Sequence, residues 1–85
     1  MSETRENRIR RMKMRSMRRG IKEMDLILTA WSERRLESLD EAGLDLYDAL
    51  LHENDQDLYQ WVTGQVPAPA RYAKMIDEIS QVFQK

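Results

Sequence analysis

Arg18-Arg19-Gly20-Ile21-Lys22-Glu23-Met24-Asp25 divides a chain of 85 residues into a basic part and an acidic part. Residues 1–22 carry nine lysines and arginines against Glu3 and Glu6, about +7, and residues 23–85 carry five against thirteen carboxylates, about −8. The stretch also reads as a helix joint. Gly20 suits the left-handed position that closes a helix, and Arg18 and Arg19 complement the negative end of that helix dipole. Taken as the N-cap of a following helix, Gly20 puts Glu23 three residues on, within reach of the Gly20 N–H, with Asp25 near the positive end of the dipole.

Working outward, Ile9, Met12 and Ser16 or Met17 form a thin apolar stripe, predicting a helix from Arg5 to Met17 after a frayed start over residues 1–4. On the other side, Met24, Ile27, Leu28 and Trp31 fall at core-facing spacing in a second helix from Ile21 to Leu36, with Leu26 and Ala30 widening the stripe. Ser38-Leu39-Asp40-Glu41 reads as a capping box for a third helix. Its face is Leu39, Ala42, Leu46, Tyr47, Leu50 and Leu51, and it ends near His52. Asn54-Asp55-Gln56-Asp57 caps a short fourth helix with Leu58, Trp61 and Val62 inward, closed by Gly64. After Val66-Pro67-Ala68, Pro69 suits the first turn of a last helix carrying Tyr72, Met75, Ile76, Ile79, Val82 and Phe83. No stretch alternates like a strand. The fold class is all-α, a compact five-helix bundle forming a single domain over 1–85, with the first helix most loosely attached.

Composition narrows the function. A chain this short buries only about 60–65 % of its unfolded surface, so stability is expected to be modest. Without cysteine it has no disulfide or thiolate chemistry, which fits a reducing compartment. The longest apolar run, Leu26-Ile27-Leu28, is far below the ~20 residues of a membrane span, and the arginine-rich start lacks the apolar core of a secretory signal. His52 has no cysteine near it for a usual zinc site and suits the end of the third helix, so no metal is expected. Asp40, Glu41, Asp45, Asp48, Glu53, Asp55 and Asp57 read as a solvated acidic face, since no nucleophile accompanies them. The aromatic residues read as core, Tyr59 excepted as a flanking, exposed one. No glycine-rich phosphate loop occurs. The chain thus reads as a non-enzymatic interaction protein offering two surfaces, the basic first helix with its turn and the acidic face of helices three and four.

Two motifs carry a resemblance. Arg19-Gly20-Ile21-Lys22-Glu23 matches the RGxxE signature, and Leu50-Leu51-His52-Glu53-Asn54-Asp55-Gln56-Asp57-Leu58-Tyr59-Gln60-Trp61 matches the later Leu-Leu-x-x-x-Asp-x-Asp-Leu-x-x-Trp segment. In both, the chain resembles the succinate dehydrogenase FAD assembly factor family, the SdhE-type proteins, from about Arg8 to Phe83. The resemblance implies a chaperone-like factor that binds the flavoprotein subunit of succinate dehydrogenase, and often of fumarate reductase, and promotes covalent attachment of FAD. It implies Arg19, Gly20 and Glu23 as interface residues flanked by Arg18 and Asp25. FAD is in that picture attached to the partner, and since this sequence offers no site for it, no cofactor is expected to be stably bound. A monomer in a bacterial cytoplasm, or in the mitochondrial matrix of a eukaryote, is the expected setting. The alternative is a small nucleic-acid-binding module using the basic arm, which the acidic remainder disfavours.

Overall fold

The helix after the joint is the centre of the molecule, because its apolar residues are the ones closed in from several sides. A computed structural model describes residues 3–83, the side chain of Phe83 excepted. Five α-helices run in order: α1, Arg5–Ser16; α2, Lys22–Arg35; α3, Glu41–Leu51; α4, Asp55–Val62; and α5, Ala73–Phe83, with a 3₁₀ turn at Leu36–Ser38. The chain is all-α among the described residues. α2 packs against α1, α4 and α5, while α1 also meets α3, and α4 meets α5.

The core is one cluster. Met24, Leu28 and Trp31 of α2 meet Met12 of α1, Leu44, Tyr47 and Leu50 of α3, Leu58 of α4 and Ile79 of α5, all essentially fully buried. The rings of Trp31 and Tyr47 lie 4.8 Å apart and tilted by 40°, within the range where aromatic pairs add to simple burial. The Tyr47 hydroxyl meets Ser16 Oγ at 2.6 Å, and that Oγ donates to Met12 O. The two buried hydroxyls are thereby satisfied. Burial, the larger effect, against the bond from Ser16 pushes the Tyr47 phenol up to about 12.

Several expected details differ. Gly20 does not adopt the left-handed conformation; among the described residues only Gly64 does, at φ 83°. Gly64 closes α4 with paired bonds, Gln65 N–H to Gln60 O at 2.9 Å and Gly64 N–H to Trp61 O at 3.2 Å, the two-bond stop that glycine favours. α1 ends instead at Met17, and the N-cap of α2 is Ile21, without a side-chain cap. Asp40, not Ser38, caps α3, accepting from Gly43 N–H at 2.8 Å, while Ser38 Oγ donates back to Arg35 O. A carboxylate one residue from the helix satisfies the orphan donors, so Ser38 is left to the preceding 3₁₀ turn. Pro69 begins a turn closed by Tyr72 N–H to Pro69 O at 2.9 Å, and α5 starts only at Ala73.

Among the stripes, Leu26 is 63 % exposed, being about 200° around the helix from Met24 at 100° per residue. Leu44 takes the inward place expected of Ala42, which is exposed, and Trp61 and Tyr59 are half-buried. Phe83, expected in the α5 stripe, has its side chain outside the described residues. Of the start expected to fray, Thr4 Oγ1 caps α1 and Glu3 pairs with Arg11 at 2.9 Å, while Met1 and Ser2 lie outside the described residues.

α1 is not loosely attached. Ile9, Met12 and Ser16 are buried, and its basic residues pair with α3 and the turn before it. Arg8 reaches Glu41, Asp45 and Asp48, Arg11 reaches Asp48 at 3.1 Å, and Lys13 reaches Glu37 at 3.2 Å. Arg5 donates to the carbonyls of Glu37 and Leu39 at 3.0 and 2.7 Å. The hydrogen bond from Arg11 holds the Asp48 carboxyl below its ordinary range. Two surfaces read from sequence as available to partners are thus largely turned on each other, because Glu41, Asp45 and Asp48 recur at one helical face opposite Arg8 and Arg11.

Candidate functional site

The joint between α1 and α2 lies beside the turn between α3 and α4, and one side chain explains why. Arg19 leaves the end of α1 and enters that second turn. Its Nε donates to Asp55 Oδ1 at 2.7 Å, Nη1 to Leu51 O at 2.9 Å and Nη2 to Glu53 O at 3.3 Å. Nη2 lies 2.6 Å from the same Asp55 oxygen, and the Arg19 and Asp55 side chains are only 8 % and 18 % exposed. The guanidinium therefore serves the Leu51 carbonyl at the C-terminal end of α3 and the Glu53 carbonyl in the turn beyond it, and Asp55 sits in the first turn of α4, where the dipole favours a negative charge. Arg19, which the resemblance implies as an interface residue, thus has its partner within the chain, 36 residues away.

Asp55 has a second task. Its Oδ2 accepts from Gly20 N–H at 2.5 Å. A Cβ placed on Gly20 would stand 2.9 Å from that oxygen, closer than van der Waals contact allows. Glycine is needed at this point for close approach, not for an unusual φ. Glu23, expected to return to the Gly20 N–H, is displaced from that role by Asp55.

The remaining signature residues face outward. Arg18, Gly20 and Glu23 are exposed, and among the described residues neither Arg18 nor Glu23 has an ion-pair partner. Asp25 is half-buried and accepts from Thr29 Oγ1 at a long 3.4 Å. Glu23 borders a shallow cleft of about 330 Å³ with Ile21, Gln56, Tyr59, Gln60 and Gln65. On the other side of the joint, Arg10, Arg11, Arg15, Arg18 and Arg19 border a groove of about 550 Å³ along α1, with Met14 among them. Glu53 is fixed from behind by the Tyr72 hydroxyl, which donates to Glu53 Oε2 at 2.9 Å. Burial and this carboxylate neighbour both raise the Tyr72 phenol, burial more. His52 closes α3, its Nδ1 donating to Asp48 O at 2.9 Å. Among the described residues no group of three histidines or carboxylates is placed to hold a metal ion, and no helix is long and apolar enough to cross a membrane.

The joint itself is legible in the sequence, whereas the role of Asp55, the residue that holds it, is not. The signal was present in the Asp-x-Asp spacing of the second motif, which brings Asp55 into the resemblance without saying what it contacts.

A helical scaffold with a braced, charged turn is that of a small interaction protein. The chain belongs to the family described as flavinator of succinate dehydrogenase, whose model matches residues 10–83. The family consists of assembly factors, not enzymes. The chain is similar to proteins named succinate dehydrogenase assembly factor 2, mitochondrial: 42 % identical in Mycosarcoma maydis, covering 85 % of this chain and 30 % of that protein. In Meyerozyma guilliermondii identity is 41 % over 98 % of this chain and 62 % of the relative. In Schizosaccharomyces pombe it is 35 % over 98 % and 56 %. The chain thus spans between about a third and two thirds of these relatives.

Proposed function

We propose that this chain binds the flavoprotein subunit of succinate dehydrogenase, and that of fumarate reductase where present, and promotes covalent attachment of FAD to it. The observation that carries the reading is the exposed Arg18, Gly20 and Glu23 edge, free of internal ion pairs among the described residues and held on a braced turn. A surface fixed before encounter loses little entropy on docking. The flavin chemistry belongs to the flavoprotein; this chain binds and orders. Docking shifts the flavoprotein population toward a form competent for attachment, which requires tighter binding to that form than to others. The setting is the bacterial cytoplasm, or the matrix in a eukaryote, with the chain acting as a monomer and holding no cofactor stably.

The test incubates apo-flavoprotein with FAD and either wild type, Glu23→Ala or Gly20→Arg, then reads flavin fluorescence of the denatured flavoprotein band. Wild type should raise covalent flavin and both variants should lose most of that gain. Equal covalent flavin with a folded Glu23→Ala protein would sink the reading. A second reading, phosphate binding by the outward arginines of α1, rests on Arg10, Arg15 and Arg18, none paired with a carboxylate among the described residues. It requires duplex binding that weakens steeply with salt; no binding at 50 mM salt removes it.

A further inference from the structure

Arg19 belongs to the signature by sequence but not to the exposed edge by geometry. Its donors are directed inward at Asp55, Leu51 O and Glu53 O, and its side chain is 8 % exposed. A guanidinium offers five N–H donors in a fixed fork. To turn this fork toward another protein would strip Asp55 of its charge partner and take from the Leu51 and Glu53 carbonyls the donors they receive from Arg19. We infer that Arg19 is a positioning residue and that Asp55, outside the signature, is its required counterpart: together they clasp the α1–α2 joint to the α3–α4 turn and set the edge that the partner meets. The inference rests on the docking role proposed above.

The division of labour on Asp55 supports it. One oxygen takes Arg19 and the other takes the Gly20 N–H, so a single carboxylate fixes both the side chain and the backbone of consecutive signature residues. The helix ends assist, with the cation at the negative end of α3 and the anion at the positive end of α4. Neither group needs to reach the surface. What reaches it is the peptide at Gly20 and the side chains of Arg18 and Glu23, whose spacing the clasp determines.

The two roles of Arg19 separate in a double-mutant cycle. Binding of the full chain to apo-flavoprotein is measured by titration calorimetry for wild type, Arg19→Lys, Asp55→Asn and the double variant. The Gly20 amide is followed in ¹H–¹⁵N spectra, and melting is recorded. If the clasp acts as a unit, each single change weakens binding about ten- to hundredfold, the factor by which a charged hydrogen bond shifts an equilibrium. The double variant is then hardly worse than either single one, and the Gly20 amide proton moves upfield in both. Should Asp55→Asn melt below the assay temperature, Asp55→Glu, which keeps the charge at altered length, takes its place in the cycle. Losses that multiply, with the Gly20 amide unmoved in Arg19→Lys, would make Arg19 a direct contact and overturn the clasp's role. Undiminished binding by Asp55→Asn overturns it too. Absence of binding by wild type would overturn the docking reading and this inference with it, whereas wild-type binding with multiplicative losses removes this inference alone.

Discussion

Gly20→Ala tests the packing of the joint without touching its charges. The glycine is outside the left-handed region, so alanine meets no backbone penalty there and would by itself stabilise by about 0.4–1 kcal/mol through the unfolded chain. Opposing this, the new Cβ would stand 2.9 Å from Asp55 Oδ2. A free carboxylate would swing aside cheaply, but this one is held through its other oxygen by Arg19. Its displacement forfeits the Gly20 N–H bond, and a hydrogen bond to a charged group contributes about 1.5–3 kcal/mol. The net expectation is a loss of about 1–2 kcal/mol, which lowers the melting temperature of a domain this small by roughly 5–15 °C. Thermal unfolding by circular dichroism provides the measurement, and the decisive arm is the same change in an Asp55→Ala background. There the obstacle is gone, so Gly20→Ala should be neutral or slightly stabilising. An equal loss in both backgrounds would refute the close approach as the reason for glycine.

Four further substitutions probe the core and the charge pairs. Trp31→Ala, at a site 1 % exposed, should cost about 3–5 kcal/mol, much of the roughly 4–13 kcal/mol available to a chain of this size; Trp61→Ala, half-buried against Tyr72, should cost less by urea denaturation. Because the Tyr47 phenol is pushed up to about 12 while the unfolded chain ionises near its ordinary 10, the unfolded state loses the proton first. Stability should therefore fall between those values, and Tyr47→Phe should flatten that alkaline decline in melts taken across it. Asp48 lies lowered by Arg11, so its contribution is present above its unfolded value and is lost as pH falls below it. Asp48→Asn should therefore lower stability at pH 7 and reduce the acid-induced loss, read from melts between pH 7 and 2.

The helices were legible because apolar residues three and four apart mark one face whatever the tertiary structure. Met24, Ile27, Leu28 and Trp31 lie inward as that spacing requires. The same arithmetic, applied more strictly, places Leu26 outward and exchanges Ala42 for Leu44, so those departures lay within reach of the sequence. The clasp did not. Arg19 and Asp55 are 36 residues apart, and no local pattern says that a given arginine will be spent on a given aspartate. The choice of Asp40 over Ser38 as cap likewise depends on where the 3₁₀ turn ends, which is a tertiary matter. Charge segregation was visible, but its meaning was not: two faces of opposite sign can serve two partners or each other. Here much of one is placed on the other, and the outward arginines are what is left.

The pairing of α1 with α3 bears on how the chain reaches its fold. Arg8 and Arg11 find Asp45 and Asp48 across 37 residues, a separation at which loop closure is an entropic burden on the search. Opposite net charge on the two segments should draw them together before any packing exists, so the denatured ensemble is expected to contract at low ionic strength. Added salt relaxes that contraction, and refolding should slow with ionic strength more than unfolding accelerates. If refolding slows in that way, the acidic and basic residues that neutralise each other in the finished molecule also shorten the path by which its first helix is recruited.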